Sequence, residues 1–83
     1  MGRRVICYDV WGRIGEGTSE HLGFYTNFRK AEREAKCASR NFPFGAEIDC
    51  NIYDADSVKD GEPDCCGLQK TLKYVAGKYV EMF

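Results

Sequence analysis

The stretch Asn27 to Phe42, NFRKAEREAKCASRNF, decides the fold. At about 100° per residue its apolar positions Phe28, Ala31, Ala35, Ala38 and Phe42 fall within about 80° of arc, which is the pattern of an amphipathic helix. Thr26 or Asn27 is placed to cap its first turn by accepting a bond from a backbone N–H. No Glu or Gln three residues on completes a capping box. Asn41, Pro43 and Gly45 supply the stop. Three alanines in the stripe let the helix approach a flat surface closely, with the two phenylalanines anchoring its ends. That surface should be a sheet, because the sequence on both sides changes period.

Downstream, AEIDCNIYD at 46–54 alternates with period two. Ala46, Ile48, Cys50 and Ile52 point one way, and Glu47, Asp49, Asn51 and Tyr53 the other, as in a strand with one buried face. Upstream, Arg4 to Trp11 is rich in branched and aromatic residues, which suit a pleated, partly buried strand. Between that strand and the helix, Gly12 to Glu20 reads as a flexible loop and His21 to Tyr25 as a short second strand. Asp54 to Gly67 reads as a long surface loop, functional or mobile. Lys70 to Val75 and Lys78 to Met82 read as two strands joined at Ala76-Gly77, or as one bent strand. The expected architecture is α+β: a single domain over 1–83, with an antiparallel sheet of three to four strands and one helix packed on one face, in the order β-α-β-β.

Charge is divided along the chain. Residues 1–42 carry eight Lys or Arg against five Asp or Glu, whereas residues 43–83 carry four against eight, for a total of −1. Such a split creates an oriented field that can steer a charged partner onto one side. On the helix, Arg29, Arg33, Lys36 and Arg40 form a stripe over roughly 16 Å of axis, which could follow a phosphate backbone. Glu32 and Lys36 at i,i+4 offer the alternative of a solvated, internally paired face. The acidic counterpart comprises Glu47, Asp49, Asp54, Asp56, Asp60, Glu62 and Asp64. These carboxylates can imitate a row of phosphates and occupy a basic groove on a protein partner. With Tyr53, and with Trp11 and Tyr74 or Tyr79 expected on the uncovered side of the sheet, they compose the candidate partner-binding surface. The same surface would also serve as the interface of a homodimer, since a two-fold contact buries one patch twice.

Other chemistry finds little support. Counted from Asp54 as a calcium loop, position six is Lys59 and position twelve is Cys65, where glycine and glutamate are required. The five cysteines contain no C-x-x-C pair. A metal or redox centre would have to gather Cys37, Cys50, Cys65 or Cys66, and His21 from across the fold, so free thiols and no cofactor are expected. His21 is the only histidine, and no nucleophile stands at a spacing that argues for a catalytic arrangement. Gly12, Gly15 and Gly17 follow a strand but occur as G-x-x-G-x-G, without the phosphate-loop lysine. The absence of a long apolar run and the polar start at Met1-Gly2-Arg3-Arg4 predict a cytoplasmic protein with no membrane association.

In size, lack of catalytic groups and helix-on-sheet form, the chain resembles the small phage-encoded inhibitors, among them the anti-CRISPR proteins. The likeness spans the whole chain at the level of architecture and charge and assigns no residue a role. It implies a non-enzymatic viral inhibitor acting in the host cytoplasm on a protein complex that handles nucleic acid. The alternative is a nucleic-acid-binding module that uses the basic helix face.

Overall fold

The computed structural model describes residues 3–82; Met1, Gly2 and Phe83 lie outside them. Five strands and two helices follow in chain order: β1 (Arg4–Gly15), β2 (Thr18–Tyr25), α1 (Phe28–Asn41), β3 (Ala46–Asp54), α2 (Ala55–Lys59), β4 (Cys65–Val75) and β5 (Lys78–Met82). The strands form one antiparallel sheet in the order β2-β1-β3-β4-β5. The α+β class is as expected, but the sheet has five strands rather than three to four, and a second helix is present.

Both differences arise where glycines and polar residues masked regular backbone. The stretch expected as a loop from Gly12 to Glu20 is a hairpin. β1 continues to Gly15, the chain reverses through Glu16 and Gly17, and Gly15 pairs with Thr18. Gly17 takes a positive φ of 73°, the left-handed conformation open to glycine at little cost. Likewise, the long loop after Asp54 holds α2, and β4 begins at Cys65 rather than Lys70. The β4–β5 turn falls at Ala76-Gly77 as read from sequence, with both residues at positive φ, 52° and 81°.

α1 starts where its cap predicts. The Asn27 side chain accepts from the Lys30 backbone N–H at 3.2 Å, and the Phe42 N–H closes on the Ala38 carbonyl. Ala31, Ala35 and Ala38 are buried against Val10, Ala46, Ile48, Cys50, Leu72 and Tyr74, with Phe28 and Phe42 at the margins. The Phe42 ring lies over Gly12 so closely that a Cβ there would stand 2.5 Å from it. Thus the glycine that seemed to end β1 gives an aromatic ring its seat. At the other side of the helix, Ser39 Oγ accepts from the Gly77 N–H at 2.7 Å and donates to the Lys36 carbonyl. This hydroxyl ties α1 to the β4–β5 turn.

Some expected placements change. Tyr74 or Tyr79 was expected on the uncovered side, but both belong to the helix side: Tyr74 is buried, with its hydroxyl donating to Glu32 of α1 at 2.9 Å, and Tyr79 stands opposite it in register, the two rings packing edge-on at 5.8 Å. Ile52 is only half-buried and lies outside the core cluster.

Candidate functional site

The sheet face opposite α1 is formed by alternate residues of β1 and β3, whose register is continuous from Arg4↔Asp54 to Gly12↔Ala46. At its centre Asp9 stands directly opposite Asp49, an arrangement of like charges that destabilises a sheet unless each carboxylate finds donors. Both do. Asp9, 8 % exposed, accepts from Tyr53 Oη at 2.6 Å and from Asn51 Nδ2 at 2.8 Å through one oxygen, and meets His21 Nε2 at 2.9 Å through the other. Asp49 accepts from Thr71 Oγ1 at 2.9 Å. Around this network Trp11 packs edge-on to His21 and Phe24 edge-on to Tyr53, with ring centroids 4.8 and 5.3 Å apart.

This face therefore differs from the acidic, available surface expected of it. Glu47 is half-buried and pairs with Arg13 at 3.5 Å. Asp49 is held by Thr71. Tyr53 does lie on the face away from the helix, yet only 7 % of it is exposed. All three are spent largely on holding the sheet together. Asp9 and Asn51 organise the face together with His21, and the sequence offers neither of the two as a site residue. The available signal was a lone carboxylate inside the apolar run Val5 to Trp11, since a buried charge in a strand demands partners.

The remaining acidic residues separate from these. Asp54 caps α2 by accepting from the Ser57 N–H at 3.1 Å. Asp56, Asp60, Glu62 and Asp64 are exposed, and none of them makes an ion pair among the described residues. Their backbone is closely pinned. The Glu62 N–H donates to the Ser57 carbonyl, the Asp64 N–H to Ser57 Oγ, the Asp54 N–H to the Asp64 carbonyl and the Ala55 N–H to the Arg3 carbonyl. Ser57 Oγ in turn donates to the Asp54 carbonyl at 2.7 Å. One serine thus organises a segment that sequence alone left as functional or mobile.

On α1, Arg29, Arg33, Lys36 and Arg40 are all exposed. The anticipated Glu32–Lys36 pair does not form: Glu32 receives the Tyr74 hydroxyl, and Glu34 receives that of Tyr25 at 3.4 Å. Among the described residues the stripe has no ion-pair partner. Arg40 leans onto the β4–β5 turn, its guanidinium filling the space a Cβ on Gly77 would occupy.

Four tyrosines are held in their neutral form. Burial pushes the Tyr53 and Tyr74 hydroxyls far above the ordinary phenol range, reinforced by the carboxylates of Asp9 and Glu32 that they donate to. Burial also raises Tyr8 and Tyr25, the latter with help from Glu34. A group whose folded pKa lies above its unfolded value contributes stability that is complete below the unfolded pKa, about 10 for tyrosine, and is lost as pH rises beyond it. The tyrosinate absorbance of these four is therefore expected to appear in one cooperative step, together with loss of near-ultraviolet circular dichroism. Gradual appearance of the absorbance of all five tyrosines with the fold intact would contradict this packing.

The cysteines do not converge. Cys7 and Cys50 are buried on opposite faces, Cys37, Cys65 and Cys66 are exposed, and all five are free. Burial raises the thiols of Cys7 and Cys50. Among the described residues no group of three or more His, Cys, Asp or Glu is placed to hold a metal ion, and no helix is long and apolar enough to cross a membrane. No protein-family model, curated protein or solved structure matches the chain.

Proposed function

We propose that this chain is a non-enzymatic binding protein that inhibits or regulates a nucleic-acid-handling protein complex, in the manner of the phage-encoded inhibitors it resembles. The acidic segment 54–64 is the contact surface. One observation carries this reading: four exposed carboxylates, Asp56, Asp60, Glu62 and Asp64, are displayed on a backbone fixed by Ser57 and the strand ends, with no ion pair among the described residues. A fixed segment loses little conformational entropy on docking. Its charge steers encounter with a basic groove and resists wrong partners. Asp49 adds negative potential on the adjoining sheet face, where Tyr53 holds Asp9 beside it.

Capture of a partner from native-host lysate, followed by mass spectrometry, tests the assignment. Wild type is expected to retain a complex that the Asp56→Lys, Asp60→Lys, Glu62→Lys triple variant loses while keeping its circular dichroism spectrum. Undiminished capture by the variant would overturn the site.

A second reading, direct nucleic-acid binding by α1, is favoured by the diversion of Glu32 and Glu34 to tyrosines, which leaves the cations unpaired among the described residues. It ranks below the first because Arg40 is committed to packing over Gly77. DNA affinity that falls steeply with salt, and vanishes when Arg29, Arg33, Lys36 and Arg40 become Glu, would reverse the ranking.

A further inference from the structure

The short helix leaves part of the sheet uncovered, and there a groove of about 380 Å³ opens between Ile6, Tyr8, Phe28, Cys50, Gln69, Lys70 and Leu72. We propose that this groove binds a small apolar carboxylate, with the hydrocarbon body on Phe28, Tyr8, Ile6 and Leu72 and the head at Lys70. Its volume lies at the lower end of the range occupied by small-ligand sites, and its composition, an apolar floor with a few polar groups at the mouth, is typical of them.

The sign of the ligand follows from the rim. Lys70, exposed and directly opposite Cys50 across the β3–β4 pair, is the one ionic side chain lining the groove among the described residues. No carboxylate of the described residues lines it. Phe28 on its wall is the first residue of α1, whose first turn contains no acid to neutralise the positive helix end. The Tyr8 hydroxyl makes no hydrogen bond among the described side chains and is available as a donor, while its ring meets Phe28 edge-on at 5.4 Å. An anion with an apolar tail satisfies all of these groups at once, whereas an ammonium head would face the Lys70 charge and the positive end of α1. The groove shares no residue with the acidic segment, so this site stands or falls independently of the partner proposed above.

Octanoate and octylammonium, equal in chain length and opposite in charge, are suitable probes in an amide chemical-shift titration of the full chain. Octanoate is expected to bind at least tenfold more tightly, with shifts centred on Ile6, Tyr8, Phe28, Cys50 and Leu72. Lys70→Glu is expected to reduce its affinity at least tenfold; Lys70→Met, which keeps the alkyl stem, gives the same test should the charge reversal disturb the sheet. Equal binding of the two probes, shifts centred elsewhere, no binding of octanoate, or full affinity in a folded Lys70 variant would each overturn the proposal.

Discussion

Replacing Asp9 with alanine is expected to destabilise the protein by about 3 kcal/mol or more, since it leaves the buried Tyr53 hydroxyl and the Asn51 amide without an acceptor. Each unsatisfied buried group costs about 1–3 kcal/mol, and His21 loses its partner as well. A small domain of this length has a total stability of about 4–12 kcal/mol, so the variant should stand near the edge of folding. Tyr53→Phe removes one donor and leaves Asp9 with two partners, so it should cost only about 1 kcal/mol. Because the hydroxyl acts through Asp9, the double variant should be less unstable than the two single losses predict. Urea unfolding of the four proteins measures all of this. An Asp9→Ala loss below about 1 kcal/mol would mean that the network does not organise the open face.

Gly45→Ala is the second large effect. Gly45 has φ of 82°, and a Cβ there would stand 2.4 Å from the Tyr74 carbonyl oxygen. The left-handed conformation alone costs a non-glycine residue about 1–2 kcal/mol. The remaining conflict is with backbone of β4, which cannot move without shifting the pairing of Ala46 with Tyr74. Gly45 also holds the chain as it leaves α1, donating to the Phe42 carbonyl and accepting from the Arg13 N–H. A loss of about 3 kcal/mol is expected once the displaced strand is added to the conformational cost. Gly17→Ala separates the two contributions, because Gly17 has a similar φ of 73° with nothing within 4 Å of the added carbon. It should lose only the conformational part, as thermal unfolding of both variants would show. Equal losses would indicate that contact with Tyr74 contributes nothing.

These two positions also mark where sequence reading succeeded and where it stopped. The apolar stripe of α1 and the alternation of β3 were legible because each is a periodic pattern imposed by a single buried face. The helix and its central strand follow from those patterns. β2 is an edge strand and the first third of β4 lies beyond its pairing with β5, so both bury less, and Thr18 to Glu20 and Cys65 to Gly67 show no alternation to detect. Tyr74 or Tyr79 was expected on the wrong side because neither could be judged without a register, and the two stand opposite each other. Pairing with Ala46 fixes the face of Tyr74.

For the candidate site, the acidic composition of 47–64 was plain in the sequence, but its division was not. Whether a carboxylate is available depends on what stands across the sheet, and Arg13 and Thr71 are distant in sequence from the Glu47 and Asp49 they restrain. An ion pair from Arg13 and a hydrogen bond from Thr71 leave Glu47 and Asp49 engaged, while Ser57, close in sequence, pins the segment that presents the four loop carboxylates. Similarly, the basic stripe of α1 was correctly placed on the solvent side, while the loss of its Glu32 pairing required Tyr74 to be beneath the helix.

The most direct test of the proposed function is competition. The complex captured from the native host is incubated with labelled nucleic acid and increasing amounts of this protein. Displacement is predicted with wild type and with the variant in which Arg29, Arg33, Lys36 and Arg40 are Glu, and no displacement with the Asp56→Lys, Asp60→Lys, Glu62→Lys variant. Displacement that survives reversal of the acidic segment, or that is lost on reversal of the helix stripe alone, would contradict the account.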